Sequence, residues 1–163
     1  MTWKVMPPAE VCDVMDFLIA LEWPLPEAKV QSLASEQFGW TIETEDGQDY
    51  LMNTVTGLSI PDVTTIDPRG AMYVLRFRVT DVTPPPTPES TAFLGDQFAL
   101  LVREGASRWG KPEMSGGDGR TSASWDVPGA ARVRFNLAER SVSASFSTPQ
   151  GVESDLKAAR SGV

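Results

Sequence analysis

The chain has 163 residues, of which 41% are hydrophobic and 22% are charged, a composition typical of one globular domain with an apolar core. It contains no histidine and one cysteine, Cys12, which excludes most general-base, catalytic-triad and zinc chemistry. No apolar run is long enough to cross a membrane, and the first residues lack a secretory signal, so we expect a cytoplasmic protein.

The first 40 residues carry the apolar spacing of two amphipathic helices. The first helix is predicted over about 8–22, and the second begins at Pro26 and ends at Gly39, where a glycine closes the last turn. Cys12 lies within the first helix and is expected to be a small buried side chain. The apolar stripe of that helix comprises Val11, Val14, Met15, Leu18 and Leu21.

Alternation with a period of two residues follows, which indicates β-strands. A strand from Trp40, a turn at Asp46-Gly47 and a return strand over 49–54 predict a hairpin. A third strand is predicted over 58–66 and a fourth over 71–82. In the fourth strand the side chains predicted to face the core are Tyr73, Leu75, Phe77 and Val79, and those predicted to face away are Met72, Val74, Arg76, Arg78 and Thr80.

The second half repeats this order after an extended, proline-rich connector. A long helix is predicted over 89–109, with Gly105 where the backbone would approach a sheet closely. Three or four strands follow, and the segment 152–160 is predicted to be a weak helix or a frayed tail. This arrangement is either an old duplication or the ordinary consequence of a helix followed by hairpins, and we favour the second explanation.

The predicted fold class is α+β, with antiparallel sheet and helices packed on one face. We expect a single domain over 1–163, composed of an acidic half (1–82), a connector (83–88) and a near-neutral half (89–163). The predicted inner face of the sheet includes Tyr73, Leu75, Phe77, Val133, Phe135 and Phe146, covered by the helices at about 8–22 and 89–109.

The negative charge is concentrated in the first 68 residues, which have a net charge of −10, whereas the remainder has a net charge of +2. A field of one sign repels nucleic acid and anionic membranes and attracts a basic protein, although it also serves solubility. The densest cluster lies at the first hairpin and lacks the oxygen spacing of a calcium loop. The candidate partner-binding residues are Glu43, Glu45, Asp46, Asp49 and the terminal aromatic residue Trp3.

No phosphate-binding loop, dinucleotide fingerprint or metal-ligand cluster is present in the sequence. We therefore expect no cofactor and no metal. Catalysis by a pair of carboxylates is the remaining enzymatic route, and we expect that the protein is not an enzyme.

Four short motifs resemble a group of small actinobacterial immunity proteins: Met1-Thr2-Trp3, Ala9-Glu10-Val11, Leu21-Glu22-Trp23 and Gly39-Trp40. The resemblance covers mainly the first 45 residues and assigns no functional residue. The best-known parallel is the immunity factor of the mycobacterial necrotizing toxin, a secreted enzyme that degrades NAD. The resemblance implies a cytoplasmic, acidic protein that binds and neutralises a cognate secreted toxin. An acidic secretion chaperone of the type III kind, a homodimer that holds an unfolded segment, is the alternative.

Overall fold

The computed structural model describes residues 3–161. Its helices are α1 (Pro8–Ala20), α2 (Glu27–Phe38), α3 (Pro88–Trp109) and α4 (Pro149–Arg160). Its strands are β1 (Thr41–Glu45), β2 (Gln48–Met52), β3 (Asp62–Ile66), β4 (Val74–Arg78), β5 (Glu113–Gly117), β6 (Arg120–Val127), β7 (Ala131–Leu137) and β8 (Val142–Ser147).

The eight strands form one antiparallel sheet in the order β1-β2-β3-β4-β8-β7-β6-β5. The first half contributes α1, α2 and the meander β1–β4, and the second contributes α3, the meander β5–β8 and α4. The two meanders join where β4 pairs with β8. At this seam Leu75 lies opposite Phe146 and Arg76 lies opposite Ser145. The predicted α+β class is therefore confirmed, and the two halves share a single sheet.

The core lies between the sheet and the helices α1, α2 and α3. Of the six predicted inner-face residues, five are fully or almost fully buried, namely Leu75, Phe77, Val133, Phe135 and Phe146. The sixth, Tyr73, is half-buried and precedes β4.

The predicted start of the fourth strand is wrong, because β4 begins at Val74 and not at residue 71. Met72 was expected to face away from the core, yet its side chain is completely buried. Its backbone N–H donates to the carbonyl oxygen of Leu25 at 2.7 Å, outside the sheet ladder. The pleat alternation therefore does not extend to this residue.

The long helix α3 lies directly against β6 and β7 at Gly105. A Cβ atom at this position would lie 2.7 Å from Cη2 of Trp125 and 3.2 Å from Phe135, so only glycine permits the approach. The helix begins with a capping box, in which the Thr87 hydroxyl accepts from the backbone N–H of Ser90 at 3.1 Å.

Local turn chemistry sets most of the other boundaries. Gly39 closes α2 in the left-handed region, with a φ of 74°. Asp46 and Gly47 both have positive φ, as a two-residue hairpin turn requires.

The C-terminal segment is a full helix rather than a frayed tail. The Thr148 side chain caps α4, because its hydroxyl accepts from the backbone N–H of Gly151. The Thr148 hydroxyl also donates to the carbonyl oxygen of Met72 at 2.8 Å. Gly151 packs on the carbonyl of Tyr73, which leaves no room for a Cβ atom. These contacts fix α4 against the central part of the sheet, where it contacts β7 and β8.

Candidate functional site

The first hairpin, β1–β2, is the outermost part of the sheet on the side of the first half. All five residues of β1 are exposed, and in β2 only Leu51 is buried. Ile42 pairs with Leu51 and so lies on the helix-facing side, which places Glu43 and Glu45 on the opposite side. The sequence-predicted acidic residues are thus together on one exposed hairpin, which we call the acidic hairpin (41–52).

The charges of the acidic hairpin are not neutralised within the described residues. Asp49 accepts a hydrogen bond from the Thr44 hydroxyl at 2.6 Å, and its backbone carbonyl accepts from Gln31 at 3.4 Å. Glu43, Glu45 and Asp46 form no ion pair or side-chain hydrogen bond with any of residues 3–161. Their carboxylates therefore face solvent.

Exposed large apolar side chains are concentrated in the same part of the sequence as these carboxylates. Tyr50 is 45% exposed and Val55 is 64% exposed, and Ile42, Ile60 and Ile66 are also exposed. Five of the eight exposed large apolar residues of the described chain thus fall between residues 42 and 66. Of these side chains, Tyr50 pairs with Glu43 and so shares its face of the hairpin. Unpaired charge beside an exposed aromatic ring is typical of a protein-binding site.

Other acidic residues of the first half serve to hold the fold. The Arg108 guanidinium on α3 contacts Asp13 at 2.7 Å and Asp16 at 2.9 Å, both on α1. It also contacts Glu104 at 2.9 Å. Burial acts to lower the pKa of Arg108, but the hydrogen bonds to these three carboxylates outweigh it and raise the pKa. This network joins α1 to α3, in contrast to the unpaired acidic hairpin.

Trp3 packs on the body of the protein. Its ring centroid lies 5.1 Å from that of Phe93 on α3, and its side chain is half-buried. The described contacts do not join it to the acidic hairpin. The structure thus brings four of the five predicted candidates together and places Trp3 elsewhere.

The segment that carries Trp3 is fixed by Asp81. The carboxylate of Asp81 accepts from the backbone N–H of Lys4 at 2.8 Å and from that of Ser59 at 2.9 Å. Burial alone would raise the pKa of Asp81, but these hydrogen bonds outweigh it and hold the pKa below its ordinary value.

A second polar surface lies on the face of the sheet opposite α1, α2 and α3. Strand β8 contributes Ser143, Ser145 and Ser147 to a floor, and neighbouring strands contribute arginines. The resulting cavity has a volume of about 590 Å³, and Asp155 of α4 borders it. We call it the arginine–serine trough; its principal residues are Arg76, Arg132, Arg134, Ser143, Ser145 and Ser147.

Sequence reasoning placed Arg76 and Arg78 on the outward face but did not assemble the trough. The alternation of arginine with valine and phenylalanine in β7, and of serine with apolar residues in β8, was a usable signal. The missing information was the pairing of β4 with β8, which brings arginines from distant segments to the two sides of Ser145.

Cys12 does not have the environment of a nucleophile. Its side chain is completely buried, and burial raises its pKa to about 12, against the opposing effect of the Arg108 charge. The thiol therefore remains protonated at neutral pH and packs as a small apolar group. Among residues 3–161, no three or more Cys, Asp or Glu side chains are grouped so that they could hold a metal ion.

Residues 9–148 match the model of a family of unknown function, DUF6301. The chain belongs to this family. The part shared with DUF6301 runs from α1 to Thr148, the residue that follows β8 and caps α4. It therefore contains the acidic hairpin and the principal residues of the arginine–serine trough. Comparison with the curated proteins gave no match, and comparison with the solved structures gave none. None of the helices within residues 3–161 has the length and apolar character that a membrane span requires.

Proposed function

We propose that this protein is an immunity-type inhibitor that binds a cognate, basic toxin domain in the cytoplasm through the acidic hairpin. The observation that supports the proposal is the set of unpaired carboxylates at Glu43, Glu45 and Asp46 beside the exposed side chain of Tyr50. Charge complementarity would raise the rate of encounter by orders of magnitude, and the aromatic ring would supply contact area.

The position of the hairpin also supports a partner of opposite charge. Strand β1 is an edge strand, so one side of its backbone has no neighbour in the sheet. Acidic side chains on an edge strand repel a second copy of the same edge. The same acidic side chains attract a partner that carries positive charge, such as a basic toxin domain.

The first test uses the gene that adjoins the gene for this chain. We expect its polypeptide to arrest growth when expressed alone, and coexpression of this chain to restore growth through a complex with the folded toxin domain. A neighbour without toxicity, or growth arrest that persists on coexpression, would contradict the proposal. A homodimer that holds an unfolded polypeptide would instead fit the secretion chaperone.

The second test measures how fast that complex forms. Charge reversal by Glu43→Lys with Glu45→Lys should lower the association rate by about tenfold or more, because rim charges act mainly on encounter. Added salt should lower the wild-type rate as well, since exposed charges are screened beyond about 8 Å at physiological ionic strength. Stopped-flow fluorescence at several salt concentrations measures both effects.

The matched control is Asp96→Lys with Glu139→Lys. Both residues are exposed, and neither forms an ion pair within the described chain. The control changes the net charge by the same amount, so it should alter the association rate only slightly. Equal rates for the hairpin and control variants would show that the hairpin charge serves solubility.

A further inference from the structure

The arginine–serine trough is built from three adjacent strands in register. Its central row consists of Arg76 on β4, Ser145 on β8 and Arg134 on β7, which lie directly opposite one another. Neighbouring strands lie about 4.8 Å apart, so the two arginine Cα atoms are separated by roughly 10 Å across Ser145. The long arginine side chains form two walls, and the short serine between them forms the floor.

The hydroxyl groups of the floor extend along β8. Ser143, Ser145 and Ser147 alternate with the buried residues Ala144 and Phe146, so all three face the trough. Ser145 is only 7% exposed, and its hydroxyl has no hydrogen-bond partner among residues 3–161. The Ser145 hydroxyl is therefore available to a ligand that enters the trough from solvent.

The arginines of the central row also lack partners within the described residues. Neither Arg76 nor Arg134 lies within ion-pair distance of a carboxylate there, although Arg132 contacts Asp126 at 3.0 Å. Asp126 is 80% exposed, which makes that pair weak and replaceable. Positive charge is therefore concentrated in the trough of a protein whose net charge is −8.

We propose that the arginine–serine trough binds a small molecule through a phosphate group. The guanidinium groups of Arg76 and Arg134 and the hydroxyl of Ser145 line the same cavity on three adjacent strands. Donors spread over three strands suit the oxygens of a tetrahedral phosphate better than the planar pair of a carboxylate. The volume of about 590 Å³ lies within the range of small-molecule sites and leaves space for an organic group.

The rest of the molecule favours a small ligand over a nucleic acid. Nucleic acid binding requires many phosphate contacts over an extended basic surface. Here the same face of the sheet carries Glu43 and Glu45 on β1 and is bordered by Asp155 on α4. These carboxylates would repel a long polyanion, whereas a single phosphate ester needs only the central row of the trough.

The test titrates 15N-labelled protein with inorganic phosphate, inorganic pyrophosphate, adenosine 5′-monophosphate and succinate, followed by NMR. We expect saturable shifts of the amide signals of residues 132–136 and 143–147, with a dissociation constant below about 1 mM for pyrophosphate or the nucleotide. Succinate should bind at least about tenfold more weakly, because it offers carboxylates alone. Comparison of inorganic phosphate with adenosine 5′-monophosphate shows whether the organic group contributes to the affinity.

The variant Arg76→Gln with Arg134→Gln should weaken phosphate binding by about tenfold or more, with unchanged circular dichroism. The control, Arg103→Gln with Lys111→Gln, removes the same charge from exposed positions outside the trough and should bind as the wild type does. No saturable shift, equal binding of succinate, or equal loss in both variants would overturn the proposal. None of these outcomes depends on the toxin complex, so the two proposals fail separately.

Discussion

The two meanders follow the same order of elements, but the second is packed far more extensively than the first. In each, the outermost strand is fully exposed, as the burial of β1 and β5 shows. The difference lies in the next two strands. In the first meander they bury Leu51 and Val63; in the second they bury Ala123, Trp125, Val127, Ala131, Val133 and Phe135.

The covering helices account for this difference. Helix α2 has 12 residues and contacts β1 and β2, whereas α3 has 22 residues and contacts β6, β7 and β8. Hydrophobic stabilisation is roughly proportional to the apolar area removed from water, so the middle strands of the second meander contribute more of it than those of the first. The outer part of the first meander carries charge instead, which leaves it available for binding.

The largest expected effect tests where the stability lies. The substitution Phe135→Ala should lower the free energy of unfolding by about 3–5 kcal/mol, because it opens a cavity among packed aromatic rings. The matched change Tyr50→Ala on the acidic hairpin should cost less than about 1 kcal/mol, since that ring is 45% exposed. Denaturation in guanidinium chloride measures both. Similar losses would contradict the unequal division of stability.

A smaller effect is expected from two glycines of α3. Gly105→Ala should lower the free energy of unfolding by about 1–2 kcal/mol, because the added methyl group would displace Trp125. Gly95→Ala should raise it by about 0.5–1 kcal/mol, because nothing lies within 4 Å of its Cβ position and alanine favours the helix. If both variants shift stability in the same direction, the close approach at Gly105 does not limit the packing.

The smallest effect concerns the loops of the first half. Asp81→Asn should lower the free energy of unfolding by about 1 kcal/mol at pH 7, because it weakens the hydrogen bonds from Lys4 and Ser59. The pKa of Asp81 is lowered in the folded state. Its contribution is therefore complete above the unfolded pKa of about 3.9 and is lost as the pH falls through the folded pKa. Denaturation at pH 7 and near pH 3 should show the variant and the wild type converging. A difference independent of pH would mean that the carboxylate charge is not involved.

Local signals predicted most of the elements. Pro26 and Gly39 bounded α2, and the turn residues Asp46 and Gly47 placed the first hairpin, because each acts through its own backbone. The errors occurred where distant contacts decide the conformation. Met72 is held by Leu25, and the last helix is fixed by contacts between Thr148 and Met72, neither of which leaves a trace in local periodicity.

The same difference between local and distant contacts separates the two candidate sites. The acidic hairpin is continuous in sequence, so its charges could be located before the structure was known. The arginine–serine trough combines Arg76 with Arg134 and Ser145, and only the order of strands in the sheet brings them together. For Trp3 the sequence allows packing on the body or contact with a partner; the structure shows the ring packed on Phe93, and contact with a partner stays a prediction.

The β4–β8 seam has a consequence for how the chain is made. Leu75 pairs with Phe146, so the two sides of the seam are separated by about 70 residues of chain, and contacts of this kind slow folding. On the ribosome the first meander emerges with one edge of β4 unpaired, and it stays so until the last strand of the sheet has been synthesised. In the interim that edge presents free backbone groups and the apolar side chains of Leu75 and Phe77. Released chains truncated before residue 142 should therefore depend on chaperones, and released chains that extend through α4 should not.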